Sequence, residues 1–126
     1  MYQRTVLIVE DEILIRMMLA DTLLEEGYDV VEAANVLEAV AVLGQRKIDA
    51  VITDIDMPGG LSGLDLARMI STTHVKVPVI IASGRHRLGR DELPGDAVFV
   101  PKPYGLDFIA AMVASMTAGE GRRLAS

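Results

Sequence analysis

Five short, β-rich apolar runs, at residues 5–9, 28–33, 50–53, 78–82 and 97–100, limit what this chain can fold into. Four of them are nearly continuous in apolar residues rather than alternating, as strands covered on both faces must be. Segments of a different period separate them. Ile15, Met18, Leu19, Thr22 and Leu23 recur at i, i+3, i+4, i+7 and i+8, the spacing of a helix face, which Gly27 can end in a left-handed turn. Asn35 is placed to cap a second helix lined by Val36, Ala39, Val40 and Leu43, and Ser62 a third around residues 64–70. A last helix spans about residues 106–116. Strands alternating with helices form βαβ units, so the expected fold is α/β: a doubly wound, five-stranded parallel sheet. Residues 84–96 (GRHRLGRDELPGD) break the pattern. With three glycines, Pro94 and two leucines they form no amphipathic stripe, and the fourth helix is expected to be short, mobile or absent.

Composition narrows the function. The 126 residues suit one domain, 1–126, with a core of about residues 4–117 and a frayed tail at 118–126, where Gly119 and Gly121 lie. No attached effector domain is expected. Without cysteine there is no disulfide framework and no cysteine-based zinc site. A net charge of −6 disfavours non-specific binding to nucleic acid or to an anionic membrane. No apolar run approaches the ~18 residues of a membrane span, and residues 1–9 do not read as a signal peptide. The expectation is a cytoplasmic protein, monomeric or weakly dimeric, with no nucleic-acid or membrane partner.

Ligands of an open parallel sheet bind outside the carboxyl ends of its strands. The first strand delivers Glu10 and Asp11 to that edge and the third Asp54, with Asp56 close behind. The fourth ends in Ser83-Gly84, and Lys102 follows the fifth. Three or four carboxylates at one rim repel one another unless a cation sits among them, and a hard divalent ion, chiefly Mg²⁺ with Mn²⁺ as substitute, is the natural counter-charge. Such a rim suits a carboxylate that attacks phosphorus and becomes an acyl phosphate. The metal and Lys102 would neutralise the phosphoryl oxygens, Ser83 would donate to one of them, and Gly84 would leave room for the group.

LIVEDE (Leu7 to Glu12), VITDIDMP (Val51 to Pro58), ASG (Ala82 to Gly84) and VPKPY (Val100 to Tyr104) follow one another in an order that resembles the CheY-like receiver domain of two-component response regulators. The resemblance covers roughly residues 6–116 and implies the sheet order 2-1-3-4-5. It makes Asp54 the phosphoacceptor, taking a phosphoryl group from a sensor histidine kinase or a histidine phosphotransfer protein. It makes Asp11 and Asp54 side-chain ligands of Mg²⁺, with Glu10 acting through a water and Asp56 through its backbone carbonyl. Ser83 takes the place of the switch hydroxyl, Phe99 of the switch aromatic and Lys102 of that family's lysine, with a cis bond before Pro103. The acidic pair is Glu-Asp rather than Asp-Asp, the loop after Pro58 is one residue longer than usual, and the stretch from Ser83 to Lys102 is short. The last feature is similar to a subgroup of single-domain receivers whose fourth helix is missing or mobile. The implied function is a stand-alone phosphorelay receiver that signals to a downstream protein or drains phosphate. It is no enzyme beyond its own phosphorylation and slow autodephosphorylation.

Other readings stay open at this stage. Asp54-Ile55-Asp56 also matches the nucleophile motif of haloacid-dehalogenase-like phosphatases, although here the acidic pair lies upstream and the chain ends early. A non-phosphorylated binding module on the same fold is the other alternative. Phe99 is by default a core aromatic. Arg85, His86, Arg87 and Arg90 read as a solvated loop, or else one of them senses the phosphoryl charge. His74 reads as a helix-end residue near the negative pole of the dipole. Ile13, Leu14, Met17 and Leu24 exceed one buried stripe, so the first helix has either a wide core face with some exposed apolar area, as is normal for surfaces, or a docking face for a helical partner, with Ile13, Leu14 and Met17 at its centre.

Overall fold

The computed structural model describes residues 3–74 and 76–125. The elements run β1 (Thr5–Val9), α1 (Ile13–Glu25), β2 (Asp29–Ala33), α2 (Val36–Gln45), β3 (Ala50–Asp54), α3 (Gly63–Thr73), β4 (Val79–Ser83), β5 (Val98–Pro101) and α4 (Leu106–Ala125). All five strands are parallel, in the order β2-β1-β3-β4-β5. The chain steps from β1 out to β2, then crosses back past β1 to β3. The connections leaving β1 and β3 therefore diverge to opposite sides of the sheet, opening a crevice at their carboxyl ends.

Strand pleating divides the core into two halves, because successive side chains point to opposite faces. Leu7, Val9, Val51 and Ile81 face one side with Leu66 and Ile70 of α3, which α2 also covers. Val6, Ile8, Ile52 and Ile80 face the other, against Leu19 and Leu23 of α1 and Ile109 and Val113 of α4. Every residue of β1 is buried, which explains its unbroken apolar run. The helix starts follow their caps: Asn35 accepts from the Glu38 amide at 2.9 Å. Ser62 accepts from the Asp65 amide while Asp65 accepts from the Ser62 amide at 2.8 Å. Gly27 turns the chain out of α1 at φ +95°. His74 closes α3, its ring hydrogen-bonded to the Thr73 hydroxyl.

Three features depart from the sequence reading or sharpen it. The buried stripe of α1 is narrow: Leu19, Ala20 and Leu23 are buried, whereas Met18, placed on that stripe by spacing, is 54% exposed. Helix α1 lies at a corner between the sheet and α4, so only one edge of its apolar surface is covered. The last helix runs to Ala125 rather than ending near Met116, and position 126 of the expected tail lies outside the described residues. Gly119 and Gly121 each cost about 1 kcal/mol of helix propensity, but no proline interrupts the segment and the residues between and after them favour helix. Between β4 and β5 the described residues contain no α-helix, only a 3₁₀ turn at Arg90–Glu92. Leu88, Leu93, Ala97 and Phe99 line a groove of about 490 Å³ beside that turn. No helix among the described residues is long and apolar enough to cross a membrane.

Candidate functional site: an acidic crevice at the ends of β1 and β3

Glu10 follows β1 and Asp54 ends β3. One carboxylate oxygen from each of Glu10, Asp11 and Asp54 lies within 4.8 Å of the others. Glu10 is 2% exposed and Asp11 is exposed, so the cluster grades from the interior to solvent. Lys102 reaches in from the end of β5, its Nζ 2.8 Å from Glu10 Oε1 and 3.4 Å from Asp54 Oδ1. The Lys102 amide donates to the Ser83 carbonyl at 2.9 Å, which ties β5 to β4 at this edge. The next peptide bond, Lys102–Pro103, is cis.

The electrostatics follow from this packing. Burial pushes the Asp54 carboxyl up to about 6; Lys102 opposes the rise and Glu10 adds to it. Burial pulls the Lys102 ammonium down, yet its hydrogen bond to Glu10 and the charges of Asp54 and Glu10 outweigh that, and the net direction is upward. Burial raises Tyr104 to about 12, so it stays a neutral phenol beside the site. Glu10 and Asp54 share one lysine, and Asp54, the more distant of the two, is the carboxyl that burial raises.

Ser83 is fully buried, and its Oγ accepts from the amides of Arg85 at 3.1 Å and His86 at 3.0 Å. Gly84 faces open space: a Cβ there would meet only Lys102 Cβ, at an ordinary 3.6 Å. Phe99 is half-buried, packed against the α2–α3 side of the core and lining the groove. Asp56 stands apart from the cluster. Its exposed side chain meets His86 Nε2 at 3.1 Å, so the rim holds three carboxylates rather than four. His86 is exposed, as a solvated loop requires, but is paired with Asp56. The Asp56 carboxylate is thus turned to His86 rather than to Asp54. Ile13, Leu14 and Met17 are 60%, 75% and 50% exposed, so they do not fill the core.

Three residues of the site escaped the sequence reading. The Thr53 hydroxyl donates to the Asp54 carbonyl at 3.0 Å. Gly63, first residue of α3, lies against that carbonyl with no room for a side chain, and its amide donates to the Ile55 carbonyl at 2.9 Å. Arg16 donates to the Glu10 carbonyl at 2.7 Å. The only sequence hint was a glycine directly after a capping serine.

A parallel sheet in this order with an acidic crevice at its switch point defines a receiver, and the chain belongs to the response regulator receiver domain family, matched over residues 6–114. Among curated proteins it is 40% identical over 113 residues to the transcriptional regulatory protein PdtaR of Mycobacterium tuberculosis, covering 86% of this chain and 55% of that one. The chain thus spans about half the length of that relative. Among solved structures, the response regulator TrrA of Thermotoga maritima, in complex with Mg²⁺–BeF, superposes with a TM-score of 0.77 at 31% identity, covering 90% of this chain and 99% of that one. A CheY-like receiver domain protein of Methanospirillum hungatei shares the fold at a TM-score of 0.85 and 20% identity, covering 97% and 99%.

Proposed function

We propose that the chain is a phosphoacceptor in a two-component phosphorelay, with Asp54 as the residue phosphorylated. The observation that carries this is one strand-end carboxylate, raised to about 6, set between two further carboxylates and a lysine. The donor set is all oxygen and anionic, which fits a hard divalent cation and no soft one. Glu10, Asp11 and Asp54 would hold Mg²⁺ or Mn²⁺, with Asp56 contributing its backbone carbonyl. Bound there, the ion neutralises phosphoryl oxygens and holds Asp54 ionised. TrrA carries Mg²⁺–BeF, and the same pair is the natural probe for this chain.

The remaining chemistry belongs to the side chains. An Asp54 oxygen attacks the phosphorus of a phosphohistidine; the new P–O bond forms as the P–N bond breaks, and the electron pair returns to the imidazole nitrogen. Lys102 Nζ lies where a phosphoryl oxygen bonded to Asp54 would need a cation. Ser83 Oγ already accepts two amides and can donate its proton to a second oxygen. Gly84 leaves that space open. Hydrolysis of the acyl phosphate resets the site. The test is the intact mass of the chain after incubation with a small phosphodonor and Mg²⁺: one phosphoryl group should be gained, and phosphate should not be released steadily from monoesters. Catalytic turnover of monoesters would favour a phosphatase instead.

The exposed apolar surface of α1 suits a helical phosphodonor domain, since Leu14 lies close in sequence to Asp11 at the crevice mouth. Substituting Leu14 and Met17 with Ser should change stability by no more than about 0.5 kcal/mol each, as for other exposed sites. Transfer from the cognate kinase or histidine phosphotransfer protein should slow markedly, while labelling by a small donor stays unchanged. Equal loss with both donors would remove the docking role.

Lys102→Ala tests the second cation. Without Mg²⁺ it leaves the buried Glu10 side chain with only the Glu12 amide as a partner, so the variant should lose up to about 3 kcal/mol. Mg²⁺ should restore much of that loss and bind at least as tightly as before, because a repelling cation has gone. Thermal melts with and without Mg²⁺ read both effects, and a fall in Mg²⁺ affinity would show the roles of metal and lysine to be wrong.

A further inference from the structure

We infer that Arg16 is a positioning residue for the acidic pair Glu10-Asp11, acting through the peptide plane that joins them. This rests on the Mg²⁺ reading above. Arg16 sits in the first turn of α1, its side chain only 18% exposed. It donates from one Nη to the Glu10 carbonyl at 2.7 Å and from Nε to Glu32 Oε1 on β2 at 3.1 Å. The Glu10 amide in turn donates to the Ala33 carbonyl at 3.0 Å. Both backbone polar groups of Glu10 are therefore tied, one to β2 directly and the other through a guanidinium that β2 also holds.

The peptide unit is planar, so fixing the Glu10 carbonyl fixes the Asp11 amide and the position of the Asp11 Cα. Glu10 is further held by burial and by Lys102. Asp11 is exposed, and the plane is the restraint that Arg16 adds to it. The planar fork of arginine serves two acceptors at once; a lysine ammonium on a flexible stem does not reproduce it. Groups that orient metal ligands from outside the coordination sphere commonly change metal affinity by 10–100-fold when removed.

Charge and positioning make opposite predictions. A cation beside a metal site repels the ion, so if Arg16 acted only through its charge, Arg16→Gln would bind Mg²⁺ more tightly. As a positioning residue, its loss weakens binding, and Arg16→Lys weakens it too although the charge is kept. The experiment is a Mg²⁺ titration of the unphosphorylated chain, followed by amide NMR shifts and by the rise in melting temperature, for wild type, Arg16→Lys, Arg16→Gln and Glu32→Gln. We expect about tenfold weaker Mg²⁺ binding in both Arg16 variants, and a smaller loss in Glu32→Gln, which keeps the arginine but weakens its second anchor. Melting temperatures without Mg²⁺ should stay within a few degrees of wild type. Wild-type affinity in Arg16→Lys, or tighter binding in Arg16→Gln, overturns the proposal. Should the Arg16 variants fail to fold, Glu32→Gln decides: unchanged affinity there overturns it equally. If wild type itself shows no Mg²⁺ response, or Asp11→Asn leaves that response intact, the metal reading fails instead.

Discussion

Asp54→Asn should incorporate no phosphate from any donor, and in the absence of Mg²⁺ it should be more stable than the native chain at neutral pH. The first expectation follows from chemistry: the amide has no anionic oxygen to attack phosphorus. The second follows from the elevated carboxyl. Burial lifts Asp54 from 3.8 to about 6, so its ionised form is disfavoured by folding. A folded value above the unfolded one means no penalty below pH about 4. The penalty then grows between 4 and 6 and is fully present above 6. Screening at this crevice reduces it to the order of 1 kcal/mol, or a few degrees in melting temperature. The Asn variant should therefore melt higher at pH 7.5 and converge with wild type near pH 4. Mg²⁺ should narrow the gap at neutral pH by stabilising wild type. Mass spectrometry after treatment with a small phosphodonor checks the first part, and melts across pH check the second. Undiminished labelling of the Asn variant would move the phosphoacceptor elsewhere.

Gly63→Ala should be the most damaging small substitution at the site. In an ordinary helix position, alanine in place of glycine gains about 1 kcal/mol. Here the added methyl would sit 2.8 Å from the carbonyl carbon of Asp54 and in steric overlap with its oxygen. Both partners are backbone, and neither can rotate away. Either α3 moves off the sheet or the end of β3 shifts, and the second displaces Asp54 itself. We expect a loss of about 3 kcal/mol, or roughly 10 °C in melting temperature, with slower phosphorylation in whatever remains folded. Gly84→Ala is the control, since its methyl would make only an ordinary contact with Lys102. It should fold normally, so a Gly63→Ala variant equally stable would show that α3 is free to shift.

Much of this molecule was legible before its structure. Unbroken apolar runs at residues 5–9 and 50–53 announced strands covered on both sides, because a parallel sheet buries each strand between two helical layers. Asn35 and Ser62 marked helix starts because their side chains satisfy amides that the helix leaves unpaired. Glu10, Asp11, Asp54, Ser83 and Lys102 could be placed at one edge because each follows a strand, and parallel strands end on the same side. The missing helix at 84–96 was visible as glycine and proline where a stripe should be.

The tertiary structure decided what depends on distance between segments far apart in the chain. That the Asp56 carboxylate turns to His86 and leaves a three-carboxylate cluster has no local signal. Whether Leu14 and Met17 face the core or solvent was undecidable from spacing, because an all-round apolar helix satisfies either answer until its neighbours are placed. Gly63 against the Asp54 carbonyl and Arg16 on the Glu10 carbonyl are contacts to backbone atoms. Side-chain pattern carries no record of where another segment's backbone will lie. The sequence by itself therefore determined which groups reach the crevice, through periodicity and strand polarity. Only packing decided how tightly they are held there, because it sets which backbone atoms come within ångströms of one another.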